Sequence, residues 1–394
     1  MSKKRSIYES LDILRDWADR DPDRVALDAD KHPDLPVRDI ATQLKLRRKA
    51  FLKFPAWTGK DILYTEKSLE QASAQISAQH KRIWLKGRVM DLTGGLGSDL
   101  IHNSDLISYM VYCDHDPVLC ELFRHNCTVL GLKPDEIHTG DSIEILRKYP
   151  DEYFDIIFVD PDRRVGNGRS VSLKEASPDV TSHVELILKK GKSLLIKASP
   201  ALDPQEAKRL LPGLREYHVV SVDGEVKEVL LLVGMQEDVS VQCVASVIKK
   251  SNTVQIIGNG NQAKVWDGEL PQYFCEPDPA IIRAGLSSVL AVDANVYHIS
   301  AKSVYLVGEE RPLNFPGRTF KIVEVLSANF RSIKDWCKQK GYTQANIGRR
   351  EFPNDPESIR KALKLKDGGD LYLFFTKFKG NYVCIACEKL ISDT

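Results

Sequence analysis

No stretch of this 394-residue chain is apolar for long enough to suggest a membrane span. The longest apolar runs, such as Val229–Gly234, are strand-sized, whereas a spanning helix needs about 20 residues. The basic start, Met1-Ser-Lys-Lys-Arg5, is followed by no hydrophobic stretch, so no secretory signal is expected. An excess of one charge is also missing. Lys and Arg number 56 against 55 Asp and Glu, which excludes a histone-like polycation but not a local basic face. The eight cysteines follow no disulfide or metal-binding pattern. Cys384-Ile-Ala-Cys387 is the only CxxC, and it lies in a β-like run without a second pair or a nearby His. Residues three apart on a strand point to opposite faces, so a shared metal there is not expected. Free thiols and a cytoplasmic protein are the expectation. There is no internal repeat and no low-complexity tract.

What is present is ordinary globular material, 42% hydrophobic and 28% charged, enough for two or three packed domains. Residues 1–85 read as helical and polar. Ser10–Arg20 carries Leu11, Ile13, Leu14 and Trp17 at helical spacing. Asp39–Lys53 continues the pattern until Pro55 stops it, and Ser68–Lys81 predicts one helix with Ser68 as its N-cap. From residue 87 short apolar runs alternate with helical stretches, the pattern of a mostly parallel α/β sheet. Tyr217–Val222 and Val226–Val233, joined at Asp223-Gly224, predict an antiparallel hairpin at its edge. Beyond residue 235 the pattern shifts towards β. Residues 318–394 hold 15 Lys and Arg against nine Asp and Glu, a net charge of +6 in a nearly neutral chain.

The most informative segment is Val89-Met-Asp-Leu-Thr-Gly-Gly-Leu-Gly-Ser-Asp99. A strand ends in Asp91, and Gly94, Gly95 and Gly97 let the backbone approach a ligand at the start of a helix. The dinucleotide fingerprint fails, because Leu100 stands where its third glycine would fall. Three further strand ends follow: Asp114 in Asp-His-Asp-Pro, Asp141 in Gly-Asp-Ser142, and Asp160 in Asp155-Ile-Ile-Phe-Val-Asp-Pro161. Singly, Asp91 reads equally as a loop brace, Asp114 as a turn residue and Asp141 as a helix N-cap. Together, at successive strand ends, they mark a ligand crevice outside the carboxyl edge of an open sheet.

This order of segments resembles motif I and the later motifs of the class I S-adenosylmethionine methyltransferases. The resemblance implies a cofactor site at Asp91, Thr93, Gly94, Gly95, Gly97, Asp114, His115, Asp141 and Ser142, with S-adenosylhomocysteine as product and no metal. Asp114 would accept the ribose hydroxyls, and Asp141 lies in the loop that contacts the adenine. The reactive end is Asp160-Pro-Asp-Arg-Arg164. It keeps the Asp-Pro of enzymes that methylate base nitrogens but lacks their second Pro and aromatic. Asp160 and Pro161, with Arg163 and Arg164, are the candidate catalytic group. Asp160 would orient a substrate nitrogen, and the arginines would bind phosphate or carboxylate, or else pair with Asp162 or Asp179.

Further segments extend the resemblance to nearly the whole chain. They are Glu70-Gln-Ala-Ser73 with Ala78 and Lys81, Lys197-Ala-Ser-Pro200 with Asp203, Glu276-Pro-Asp-Pro-Ala280, and the tail from Asn346-Ile-Gly-Arg-Arg-Glu-Phe352 to Asp367-Gly-Gly369. They look like a bacterial family of class I methyltransferases that end in a THUMP-like domain. The implied fold is a Rossmann-like α/β sheet at 86–235, preceded by a helical region at 1–85. It is followed by a small ferredoxin-like α+β segment at 236–314 and an α+β THUMP-like domain at 315–394. THUMP domains bind RNA, so tRNA or rRNA is the expected partner and a base nitrogen the expected target. Lys45, Arg47, Arg48, Lys49 and Lys53 form one basic stripe for phosphates, and Arg349, Arg350, Lys361 and Lys364 another. Taken alone, each stripe reads better as a solvated helix face. Two other functions stay open: a small-molecule or protein methyltransferase, and a non-catalytic cofactor- or RNA-binding protein.

Overall fold

The computed structural model describes residues 5–162, 164–165, 168–169, 173–236, 240–249, 252–259 and 264–390. Nine strands make the larger sheet: β1 (Gly87–Asp91), β2 (Ile107–Asp114), β3 (Glu136–Thr139), β4 (Ile156–Val159), β5 (Leu194–Ala198), β6 (Leu214–Val222), β7 (Glu225–Val233), β8 (Gln242–Lys249) and β9 (Asn252–Gly258). Their order is β9-β8-β6-β7-β5-β4-β1-β2-β3. Strands β1 to β5 pair in parallel. Val89, Met90, Val111, Ile157, Leu194 and Ile196 are fully buried, as a sheet covered on both faces requires. The chain steps outward from β1 to β3, then returns to β4 on the other side of β1. The topological switch therefore lies between β1 and β4, where open sheets of this kind bind ligands.

The hairpin at Asp223-Gly224 forms, with φ of 49° and 81° at its two turn residues. It is not an edge, however. Strand β8 runs parallel to β6, with Val244 opposite His218, and β9 closes the sheet. Tyr217, Val219 and Val220 are fully buried, which suits an interior strand. The expected helix over Ser68–Lys81 is also corrected. It divides into Glu66–Gln71 and Gln75–His80, interrupted at Ala72-Ser73-Ala74. Ser68 is the third residue of the first helix. Thr65 is the cap, and the two side chains bond each other's backbone in a reciprocal capping box.

The chain divides into two compact units: Met1–Arg215 with Leu231–Val239, and Glu216–Leu230 with Ser240–Thr394. The first contains the N-terminal helices, among them α1 (Val37–Lys53), α2 (Glu66–Gln71) and α3 (Gln75–His80), together with β1 to β5. Helix α4 (Ser98–Ile101) follows β1, and α5 (Pro117–Leu130) follows β2. Asp116 caps α5, Pro117 opens it and Gly131 ends it at φ 72°.

The second unit contains a seven-stranded sheet that includes Tyr273–Pro277, Gly317–Ser327, Asn346–Arg349, Leu371–Phe378 and Asn381–Lys389. Helices Phe330–Gln339 and Pro356–Leu363 cover one face, where Ile333, Cys337, Ile359 and Leu363 pack with Leu373, Phe375 and Cys384. The other face buries Phe274, Tyr305, Phe374, Ile385 and Cys387. Cys384 and Cys387 thus enter opposite cores, and burial pushes both thiols above their ordinary range. Strands of residues 236–314 divide between the two sheets. No helix among the described residues is long and apolar enough to cross a membrane.

Candidate active site

Four carboxylates line the carboxyl edge of the sheet in the first unit. Asp91 ends β1 and is buried, and its Oδ1 accepts the Thr93 amide at 2.9 Å. Burial, with Asp99, Asp160 and Asp114 close by, pushes its pKa well above the ordinary carboxylate range. Asp114 ends β2. Its two oxygens accept the amides of Gly95 and Asp116, each at 2.9 Å, and each keeps a second lone pair. His115 is exposed, with Nδ1 3.3 Å from Asp114. Asp141 caps the helix Ser142–Arg147, its Oδ1 accepting from Ile143 and Glu144 at 2.8 and 3.2 Å. The N-cap reading therefore holds for Oδ1, while Oδ2 has no partner among the described residues. Ser142 is buried behind it.

The three glycines serve different ends. Gly95 has φ of 55°, and a side chain there would meet little. A Cβ on Gly94 would run into the ring of Tyr112, and one on Gly97 into Phe123. Those two rings stack on each other at 3.9 Å and 12°. Gly94 and Gly97 are thus demanded by packing beneath the loop, and Gly97 also by its φ of 76°. The result is a loop held low over the sheet at the start of α4, with the amides of Thr93, Gly94, Gly95 and Gly97 bonded to Asp91, Cys113, Asp114 and Gly94. The Asp114 carboxylate beside it, with a lone pair left on each oxygen, fits a nucleoside whose ribose hydroxyls donate.

Asp160 follows β4 on the far side of the switch point. Its amide donates to the Thr93 hydroxyl at 2.7 Å, which ties it to the glycine loop. Its Oδ2 accepts from Lys197 Nζ of β5 at 2.6 Å. Pro161 is buried beside it, and Asp162 meets Lys67 of α2 at 3.5 Å. Arg163 lies outside the described residues, and only the backbone of Arg164 is described.

The sequence reading of the site omitted Ser73, Lys81, Asp99 and Lys197. Lys81 is completely buried and pairs with Asp99 at 3.0 Å. The Ser73 hydroxyl donates to Asp99 Oδ2 at 2.9 Å and accepts from Lys81 at 3.2 Å and from Lys197 at 3.3 Å. Burial would raise the pKa of Asp99, but the Lys81 and Lys197 ammonium groups and these bonds hold it below the ordinary range. The signal was present in the sequence, since Ser73, Lys81 and Lys197 belong to the segments that carry the family resemblance.

The basic stripes fare unevenly. Arg47 donates to the Ile62 carbonyl at 3.2 Å and faces Asp61, Arg48 donates to the Arg20 carbonyl at 2.7 Å, and Lys53 donates to Leu69 and Glu70. These three fasten α1 to its neighbours. Lys45 and Lys49 are exposed, with no partner among the described residues. In the second unit Arg349 donates to the Phe352 carbonyl at 2.9 Å, and Lys361 pairs with Glu357 on its own helix. Lys364 ends that helix in the left-handed region, and Arg350 is exposed.

Comparison with known proteins adds three observations. Residues 317–389 match the family model described as THUMP domain-like. The crystal structure of a candidate methyltransferase from Porphyromonas gingivalis W83 superposes with a TM-score of 0.80 at 25% identity, covering 97% of each chain. The chain has the fold of the class I methyltransferases, with a THUMP-like domain at its C-terminus. The chain is also 26% identical, over 80% of its length and 84% of the relative's, to an uncharacterized S-adenosylmethionine-dependent methyltransferase of Mycobacterium tuberculosis, found in strains H37Rv and CDC 1551.

Proposed function

We propose that this chain moves the methyl group of S-adenosylmethionine to a nitrogen of a base in tRNA or rRNA. The observation that carries the reading is the placement of Asp160. It sits across the switch point from the glycine loop and is tied to that loop through Thr93. A ligand held at the loop would therefore present its reactive end to Asp160. The cofactor supplies an already activated methyl and leaves as S-adenosylhomocysteine. The chain's own residues bind and align. Asp114 accepts the ribose hydroxyls, and the glycine loop lets the ligand approach the sheet edge closely. Asp99, Asp114 and Asp160 outnumber Lys81 and Lys197, so the crevice favours a cationic donor. Asp160 accepts a hydrogen bond from the substrate N–H, which aims the nitrogen lone pair at the methyl. The proton released from that nitrogen leaves to Asp160 or to water. The RNA part of the reading rests on the THUMP-like domain and the basic surplus of residues 318–394.

The test is transfer of labelled methyl from S-adenosylmethionine into total RNA of a strain lacking the gene, with Asp160→Ala as control. Label in one RNA species, lost with the control, supports the reading. If the protein binds S-adenosylmethionine but labels no RNA, the RNA reading fails, and small molecules and proteins become the substrates to test.

A further inference from the structure

A buried hydroxyl lies between two lysine–aspartate pairs of the first unit. Ser73 offers one proton and two lone pairs. It donates to Asp99 and accepts from both Lys81 and Lys197, so its capacity is fully used. Lys81 completes its own set with the Ser77 carbonyl at 3.3 Å and Asp99 at 3.0 Å. The Lys81–Asp99 pair is buried and remote from bulk water. The Lys197–Asp160 pair is its counterpart at the surface of the crevice, with side chains 11% and 26% exposed. Lys197 stands behind Asp160 and has little surface of its own.

The residue that joins the pairs comes from the interruption between α2 and α3. An unbroken helix over this stretch would bond the Ser73 carbonyl within the helix. Instead that carbonyl accepts the Ser98 hydroxyl at 3.0 Å, at the start of α4 behind the glycine loop. The break thus presents both polar ends of Ser73 to α4, the hydroxyl to Asp99 and the carbonyl to Ser98.

We propose that Lys197 and Ser73 are positioning residues for Asp160. The Lys197 ammonium fixes one rotamer of the Asp160 carboxylate, and Ser73 fixes the ammonium against the buried pair beneath it. This rests on the proposed role of Asp160 in methyl transfer. A carboxylate held by one oxygen leaves the other directed at the crevice, where a substrate N–H needs an acceptor at a set angle. The N-terminal helices thereby supply part of the active site from a region with no motif I residue.

Two measurements test this on the full chain. In protein labelled with 15N-lysine, a buried ion-paired ammonium exchanges slowly enough to give its own resonance. The Lys197 signal is assigned by its loss in Lys197→Arg. It is expected to shift or broaden in both Ser73→Ala and Asp160→Asn. A Lys197 signal indifferent to both changes overturns the proposal, whatever the substrate proves to be. The second measurement is steady-state methyl transfer into the labelled RNA. Lys197→Met is expected to lower kcat by about tenfold or more, the scale for losing an oriented acid–base group. Affinity for S-adenosylmethionine, read by calorimetry, is expected to stay within about twofold, because Lys197 acts through the Asp160 carboxylate. Lys197→Arg should recover part of the rate. A parallel loss of rate and cofactor affinity, with no recovery by Arg, makes Lys197 a structural residue and overturns the proposal. If no RNA accepts methyl, the RNA reading fails by itself, and the ammonium measurement still decides the network.

Discussion

A single buried lysine, Lys81, sets the electrostatics beneath the site. Its ammonium has no exposed surface, and its removal leaves Asp99 charged without its principal partner. Lys81→Met is expected to cost about 3–5 kcal/mol, the range for breaking a buried pair, measured by urea unfolding. Acid should act on the same pair. Asp99 has a folded pKa below its unfolded value, so it contributes stability above the unfolded value of about 3.9 and loses it as pH falls through the folded value. The Tm should therefore fall on acidification below about pH 4. Asp99→Asn should lower the Tm at pH 7 and flatten that acid dependence. Gly94 belongs to this scale as well. Gly94→Ala drives a methyl into the Tyr112 ring and is expected to cost about 1–3 kcal/mol without any cofactor present. A loss of cofactor affinity at unchanged stability would instead make Gly94 a ligand contact.

At the scale of elements, caps decide more than propensities. Asp278 opens the helix Pro279–Arg283, accepting the Ala280 amide at 2.9 Å and the Ser221 hydroxyl at 2.6 Å, and is itself buried. Asp278→Ala should cost about 1–2 kcal/mol, read as a lowered Tm with the helix otherwise retained. This explains the Asp-Pro in Glu276-Pro-Asp-Pro279, which in the sequence reads only as a stiff turn. Much of the sheet was legible, because strands buried on both faces give short continuous apolar runs with glycine and aspartate at their ends. The carboxylates at those ends were legible for the same reason. The interruption at Ser73 was not. Its residues have helical periodicity on both sides, and only a bond from Ser98, 25 positions on, takes the carbonyl out of the helix. The position of the hairpin was missed because edge and interior hairpins share one turn signature. Only strands from later in the chain separate them.

For the molecule as a whole, the basic surface divides into residues that hold the fold and residues that meet solvent. On the proposed RNA reading, Lys45→Glu with Lys49→Glu is expected to weaken RNA binding and shallow its salt dependence by about two ions' worth, leaving the Tm unchanged. Arg47→Met should lower the Tm, because its guanidinium joins α1 to Ile62 and Asp61. Gel-shift titration across a salt series and thermal unfolding separate the two classes. Charge counting along the helix merges them, since it registers the ammonium or guanidinium and not the carbonyl it meets. The short stretch between α3 and β1 has a different consequence. Two separately produced pieces, joined nowhere between Trp84 and Gly87, carry complementary halves of one electrostatic lock. Lys81 is on the first piece, and Asp99 and Lys197 are on the second. Mixing such pieces should restore a folded whole, and Lys81→Met in the first piece should prevent that reassembly.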